Sequence, residues 1–359
     1  MTLRHSNAGS RKLRMRVYEI NPETDRRWRV LVESHPRASI FHTAEWLEAL
    51  RRTYGYIATV FTTSAPEDPL TNGVAFCRLN SWLTGSKLVS IPFSDHCEPL
   101  AHNEEDVTAL ISAARTSGAG KLKNVEIRPR RSDLTLQGVF RLDRQHYLHF
   151  LDLRPSLGEI YLRFHKDCIQ RKIRRADREG VTLERGNSDS ILQEFYQLLL
   201  LTRRRHGLPP QPLAWFRNIL QCLRSRATIH IARMNGRPIA SILTLHHQQT
   251  VVYKYGCSDA RFHNLGAMPR LFWQIIQEAK CEQLQELDLG RSELGNEGLI
   301  RFKDHLGATM TPLNYWRSSE TMKNRANTDL LRLISKNFVS YLPDGFFRLA
   351  GEVFYRHVG

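Results

Sequence analysis

The sequence of 359 residues contains no apolar run near the roughly 18–20 residues that a membrane-spanning helix needs. The longest, Leu198–Leu201, is four leucines inside a helical pattern. Met1 to Ser10 holds no hydrophobic stretch, so no secretory signal is expected there. Cysteine is scarce. Cys77, Cys97, Cys168, Cys222, Cys257 and Cys281 include no CxxC pair, and the expected state is reduced, mostly buried thiols in a cytoplasmic protein. No RRM, KH, zinc-finger or clear helix-turn-helix signature is present. No Cys or Ser stands in a recognisable nucleophile setting, which disfavours a covalent acyl-enzyme.

Carboxylates are missing altogether from Phe195 to Ser258, a stretch with nine Lys or Arg. The whole chain carries 52 Lys plus Arg against 36 Asp plus Glu, a net charge of +16. Residues 1–16 hold five basic and no acidic residues, and residues 163–178 seven and two. These three stretches sum to +19, so the remainder stands at −3. So focal an excess points to an anionic partner, with solvated helix faces as the alternative. At 41% hydrophobic and 25% charged the composition is that of a globular protein, and the length predicts two domains.

Periodicity gives alternating helices and strands. Asn21-Pro22 opens a helix to about Ser34, and Thr43 caps Ala44–Arg52. Strands are expected near Tyr56–Thr63, Gly73–Leu79, Lys87–Ile91, Asn124–Arg128 and Tyr147–Leu153, with a helix over Glu104–Thr116. Asp167–Glu179 reads as one helix closed by Gly180. Ala227–Met234 and Pro238–His246 flank Asn235-Gly236, a tight-turn signal. Thr250–Tyr255, the loop Gly256–Gly266, the helix Met268–Cys281, Leu287–Leu289, the polar loop Gly290–Gly298, the helix Leu299–His305 and Thr311–Tyr315 follow. Lys87–Asp95 with its following helix and Val125–Ile127 parallels Val251–Asp259, a helix and Leu287–Leu289. That parallel predicts two copies of one α/β unit.

Several stretches in this order resemble the FemAB/FemX-like acyltransferases of the GNAT superfamily, in particular relatives found with exopolysaccharide and exosortase systems. They are Phe41-His42-x-x-x-Trp46, Gly85–Phe93, Ile169-x-x-Lys172-Ile173-Arg174-Arg175-Ala176, and Thr202–Pro209. Tyr253-x-Tyr255-Gly256, Asp288-x-Gly290-Arg291-Ser292 and Phe302-Lys303-x-x-x-Gly307 complete the set. The likeness spans roughly residues 39–316. It implies an α/β (α+β) chain of two tandem GNAT-like domains, with mixed, mostly antiparallel sheets flanked by helices. The expected divisions are a basic leader at 1–13, domains at 14–153 and 154–318, and an amphipathic helical tail at 319–359. It also implies transfer of an acyl or aminoacyl group to an amine on a cell-envelope, peptidoglycan or exopolysaccharide precursor. Acetyl-CoA or another acyl-CoA is the expected co-substrate and aminoacyl-tRNA the alternative, with no tightly bound cofactor and no metal. The competing function is a non-catalytic nucleic-acid-binding or envelope-complex structural protein.

By the resemblance, Lys303 at the Phe-Lys position stabilises charge on a phosphate or in the transition state; a surface lysine is the other reading. Asp288, Arg291 and Glu293 lie at the exit of a predicted strand, where open α/β sheets gather ligands. Asp288 or Glu293 is then a proton acceptor and Arg291 an anion clamp, or Asp288 only organises its loop. Tyr255 is either a leaving-group acid or packing. In Asp95-His96-Cys97-Glu98 adjacent side chains alternate in direction, which suits a metal poorly. Asp95 or His96 is instead expected to line the cleft facing the second half. Arg261–Ala267 keeps the Arg and the Gly266-Ala267 of a pyrophosphate loop but lacks one glycine. Arg171, Arg174 and Arg175 share a helix face opposite Ile169 and Ile173. Arg203–Arg205, with Arg204 central, end the next helix; both sets suit a phosphate or tRNA, or simply complement the helix dipole. The tail alternates Leu330, Leu331, Leu333, Ile334, Phe338, Val339, Leu342, Phe346, Phe347 and Leu349 with Lys323, Arg325, Arg332, Lys336 and Arg348. Packing on the second domain and lying on an anionic membrane face are both open. The expected location is cytoplasmic, with peripheral contact at the inner membrane face under the second reading.

Overall fold

The computed structural model describes residues 15–81, 85–117, 124–131, 140–318 and 343–358. The leader and most of the tail, including Leu330 through Leu342, lie outside them. Among the described residues no helix is long and apolar enough to cross a membrane.

The first half begins with β1 (Tyr18–Ile20), α1 (Arg26–Ser34) and α2 (Ala44–Tyr54). It continues with β2 (Ile57–Thr62), β3 (Val74–Ser81), β4 (Gly85–Val89), α3 (Glu104–Thr116), β5 (Asn124–Ile127) and β6 (Arg141–Asp152). The second half runs α4 (Leu157–Arg163), α5 (Arg171–Arg178), β7 (Thr182–Gly186), α6 (Asp189–Arg205), α7 (Leu213–Leu223), β8 (Ala227–Met234) and β9 (Arg237–His247). Then come β10 (Thr250–Ser258), α8 (Ala267–Cys281), β11 (Glu286–Glu293), α9 (Glu297–His305), β12 (Thr309–Ser318) and α10 (Asp344–Val358). Asn235 and Gly236 both have positive φ, as the β8–β9 turn requires.

Three expectations shift. The first helix starts at Arg26, because Asp25 caps it while Asn21 closes a turn through its carbonyl. Asp167–Glu179 is not one α-helix: Lys166–Gln170 form a π turn in which Gln170 N–H reaches His165 O, five residues back, before α5 starts. The polar loop after Leu289 instead extends β11 to Glu293, since Arg291, Ser292 and Glu293 pair with β6 beyond a bulge at Leu289–Gly290.

All twelve described strands form one sheet, ordered β1-β2-β3-β4-β5-β12-β6-β11-β10-β9-β8-β7. The order is symmetric about its centre. In each half three antiparallel steps lead to a parallel pair, β4 beside β5 and β10 beside β11, joined by a helical crossover. This is the repeated unit seen in the sequence, and matching positions are explicit: Val89 faces Glu126 as Val252 faces Asp288. The sixth strands are exchanged. β6 lies against β11, and β12 returns to lie against β5, with β6 and β12 paired to each other. A line drawn at 153/154 thus leaves β6 paired only with strands of the second half.

The halves also share a core. Trp46 on α2 meets Trp215 on α7 edge-on at 5.2 Å between centroids, and Tyr54 and Phe93 pack on the same indole. α10 packs across both, its Tyr355 carbonyl accepting from Tyr56 and its Tyr355 hydroxyl donating to Pro209 O. The sheet and these aromatic contacts hold the end of β11 against the loop after β4.

Candidate active site

The parallel pairing of β10 with β11 ends at Val252 and Asp288, and both strands bulge just beyond. In β10 the register shifts between Tyr253 and Tyr255, and Lys254 is the extra residue. In β11 the shift falls between Asp288 and Arg291, where Gly290 adopts a positive φ of 69°. Bulges re-aim side chains, and these two open a gap between neighbouring strands.

The loop after β4 fills that gap from the first half. It bends through Ile91 and Phe93, both at positive φ, an uncommon state for bulky residues. Strain of this kind concentrates at functional sites. The bend delivers Asp95 and His96. Asp95 Oδ2 accepts from Lys254 Nζ at 3.2 Å, Oδ1 lies 3.7 Å from Arg291 Nε, and its carbonyl accepts from the Tyr315 hydroxyl at 2.6 Å. A Cβ on residue 290 would stand 3.0 Å from Asp95 Oδ2, a tight approach at a φ that favours glycine. Burial raises the Asp95 carboxyl, but Lys254 and Arg291 outweigh it and hold it below its ordinary value.

His96 Nε2 donates to Asp288 Oδ2 at 2.8 Å, with both side chains buried. Asp288 Oδ1 accepts from Gly290 N–H at 2.7 Å. Burial alone would raise the Asp288 carboxyl; the His96 contact, Arg130 and the Gly290 N–H bring it down to about 2, so it is ionised at neutral pH. His96 Nδ1 has no hydrogen-bond partner among the described residues. His96 and Asp288 line a cavity of about 750 Å³ between the halves. Arg37, Arg130, Arg131, Arg154 and His247 also line it. Arg130 pairs with Glu286 at 2.8 Å and stands over Phe150, and Glu98 Oε2 accepts the N–H groups of Arg130 and Arg131.

Lys303 is not a surface lysine. It is 2% exposed, and its ammonium donates to Gly290 O at 2.9 Å, Arg291 O at 3.0 Å and Ser292 Oγ at 3.0 Å. It therefore pins the β11 bulge to α9. Burial lowers its pKa to about 8, against the pull of Asp95 and Asp288. Arg291 donates to the Tyr315 hydroxyl at 3.1 Å.

The structure thus brings Lys303, Asp288, Asp95 and Arg291 together. Glu293 lies exposed at the far end of β11. The Tyr255 hydroxyl accepts from Trp215 Nε1 at 2.9 Å inside the core. Arg171, Arg174, Arg175, Arg261 and Gly266 belong to a second neighbourhood, where α5 packs on the turn before α8. Gly266 has a φ of 77° and no room for a Cβ, because the Lys172 backbone carbonyl occupies that side. Arg171 pairs with Asp167 at 3.4 Å, Arg175 with Glu179 at 3.6 Å, and the Arg174 Nε faces Gln170 O. Arg261 is clasped by Asp259, 2.6 Å at its shortest contact, and Pro269 removes one N–H from the first turn of α8. Arg204 stands elsewhere, over the Phe347 ring of α10 at 4.7 Å.

Sequence reading missed Lys254. Its buried ammonium lies over the rings of Phe41, Trp46 and Tyr255 at 5.0, 6.0 and 5.7 Å as it donates to Asp95. Burial depresses its pKa.

The two halves differ at matched places. Glu126, which corresponds to Asp288, accepts from Arg128 at 2.7 Å and from Arg317 at 3.1 Å and meets no imidazole among the described residues.

The family described as acetyltransferase (GNAT) domain matches residues 163–304. A UDP-N-acetylmuramoylpentapeptide-lysine N(6)-alanyltransferase of Weissella viridescens is 27% identical over 148 residues, 40% of this chain. The match spans 43% of that relative's length. Among solved structures, FemX superposes with a TM-score of 0.69 at 15% identity, over 89% of this chain and all of that one. A tandem GNAT protein from the clavulanic acid biosynthesis pathway gives 0.52 at 12% identity, over 86% and 100%. The C-terminal domain of a putative lysylphosphatidylglycerol synthetase from Agrobacterium fabrum gives 0.52 at 15%, over 86% and 94%. At these identities the structural likeness establishes the fold.

Proposed function

We propose that this chain is a FemX-like member of the GNAT acyltransferases and moves an acyl or aminoacyl group onto an amine in the cavity between its halves. The observation that carries this reading is the His96–Asp288 pair facing that cavity. Amine attack on an acyl carbonyl needs a base for the amine's proton. His96 Nδ1 takes that proton as the nitrogen attacks. Ionised Asp288 keeps the Nε2–H in place and stabilises the imidazolium that forms. His96 then returns the proton to the departing carrier, and the products are an amide and the protonated carrier. Asp288 is the positioning group, and Lys303 supports it by fixing the backbone at Gly290 and Arg291.

The cavity's arginines offer guanidinium donors to a phosphate on the acceptor, beside the carboxylates of Glu98, Asp152, Glu286 and Asp288, which suit its amine. The relative's acceptor, a lysine on a UDP-linked muramoyl peptide, has that chemistry, and an amine on a comparable envelope precursor is the acceptor we assign. The donor is a phosphate-bearing acyl carrier. The filled space beside Gly266 and the missing N–H of Pro269 leave a poor pyrophosphate cradle, which favours aminoacyl-tRNA over acyl-CoA. The functional division is two units, near 14–153 and 154–318, which exchange their sixth strands. The exposed residues Phe346, Leu349 and Val353 on α10 are compatible with peripheral contact at the inner membrane face. The alternative of a non-catalytic nucleic-acid or envelope protein does not account for the imidazole–carboxylate pair.

The test offers labelled acetyl-CoA and alanyl-tRNA in parallel to a UDP-linked muramoyl pentapeptide. Amide formation with one donor, reduced about 100-fold by Asp288→Asn, is expected. No product with either donor, or a variant as active as the parent, overturns the proposal.

A further inference from the structure

A second cluster of chemistry-bearing side chains lies outside the cavity and has no part in the transfer scheme. His165, Cys168 and His305 present one ligand atom each, and these atoms all lie within 4.8 Å of one another. The residues come from two elements. His165 caps the π turn that carries Cys168, and His305 is the last residue of α9.

Three observations point from this cluster to a metal. The histidine rings lie 4.3 Å apart between centroids, tilted by 43°, and a nitrogen of each lies within 4.8 Å of the other and of the Cys168 sulfur. The backbones are already joined there, since His165 N–H donates to His305 O at 2.9 Å. His165 Nδ1 accepts the Cys168 N–H at 3.2 Å, so its lone pair is on the cysteine's side of the ring. The π turn contributes as well. Its extra residue shifts Cys168 relative to an ordinary helix, and π turns are frequent at functional sites.

We propose that His165, Cys168 and His305 bind a single transition-metal ion of the zinc class. Two imidazoles and a thiolate are three of the four ligands of a tetrahedral Zn²⁺ site, and the fourth position is open to water. Cys168 and His305 are half-buried and His165 is exposed, so the ion has an entry path. Binding displaces the Cys168 N–H from His165 Nδ1, a lost cap that the metal–ligand bonds outweigh. The ion ties the end of α9 to the start of the α5 segment. It thereby braces the helix that holds Lys303, independently of which donor or acceptor the enzyme uses.

The test uses the full chain, stripped with chelator and desalted, then titrated with ZnCl₂ and separately with Co²⁺. Retention of one zinc per chain after gel filtration is expected. A thermal midpoint raised by the metal and a near-ultraviolet thiolate-to-cobalt band should accompany it. Cys168→Ser should abolish the band, and His305→Asn and His165→Asn should each remove zinc retention, while Cys281→Ser keeps all three signals. His165 is exposed, so its variant remains informative if the other two fold poorly. Failure of the parent to retain stoichiometric zinc overturns the site. So does retention undiminished in His165→Asn together with a cobalt band that survives Cys168→Ser.

Discussion

At the scale of single residues, the decisive groups are charges buried with specific partners. Lys303 was legible as important from its Phe-Lys motif, but its burial was not, since a lysine in a polar helix reads equally well as a surface residue. What the sequence could not show is that its three protons go to the β11 bulge. Lys303→Ala should therefore lose activity and also about 2–4 kcal/mol of stability in urea unfolding, because buried acceptors are left without donors. A variant as stable as the parent would remove the clamp. Lys254 was hidden for a specific reason. Strict alternation puts it opposite Tyr253 and Tyr255, on the solvent side, and only the bulge turns it inward. Lys254→Met should keep the packing against Phe41 and Trp46. It should also raise the Asp95 carboxyl toward its ordinary value, measurable by NMR titration, since Lys254 is the largest opponent of burial there.

At the scale of elements, most strands and helices followed their periodicities, including the strands that form the repeated parallel pairs, while the π turn before α5 and the extension of β11 past its bulge did not. The exchange of β6 and β12 was not legible, because each strand alternates equally well against either neighbour and partner choice is a property of the assembled sheet. Asp95 or His96 was expected at the cleft, and His96 lines it; its pairing with Asp288, 192 residues away, had no local signal. Two elements offer direct tests. Gly266→Ala should cost about 1–3 kcal/mol, since a Cβ there meets the α5 backbone at positive φ. Trp215→Ala should cost about 3–5 kcal/mol, the range for truncating a buried tryptophan, and should loosen α2 from α7. A change in thermal unfolding too small to match either figure would contradict these packing assignments.

At the scale of the molecule, the buried imidazoles set the acid limit. Desolvation lowers His35, His42, His146, His149, His230 and His247 to about 4. Each is neutral in the fold and gains a proton near pH 6.5 when unfolded. The unfolded chain thus binds more protons below that pH, and stability falls as the pH drops from 6.5 toward 4, by at most about 1.4 kcal/mol per pH unit for each histidine. Unfolding midpoints in urea should change little between pH 7 and 8 and decline steeply below 6.5; a flat profile down to pH 5 would contradict this.

The net charge of +16 also reads differently at this scale. Part of it sits on α5, where Asp167, Asp177 and Glu179 answer several arginines. The cavity between the halves holds none of the excess, since Arg37, Arg130, Arg131 and Arg154 are matched there by Glu98, Asp152, Glu286 and Asp288. The central claim is that this cavity holds a base supplied by the first half and oriented by the second. Steady-state transfer kinetics of His96→Gln against the parent test it most directly. The account predicts a kcat lower by about 100-fold or more with KM changed little, in a protein whose thermal midpoint stays near the parent's. A folded His96→Gln variant with kcat within about twofold of the parent would contradict it.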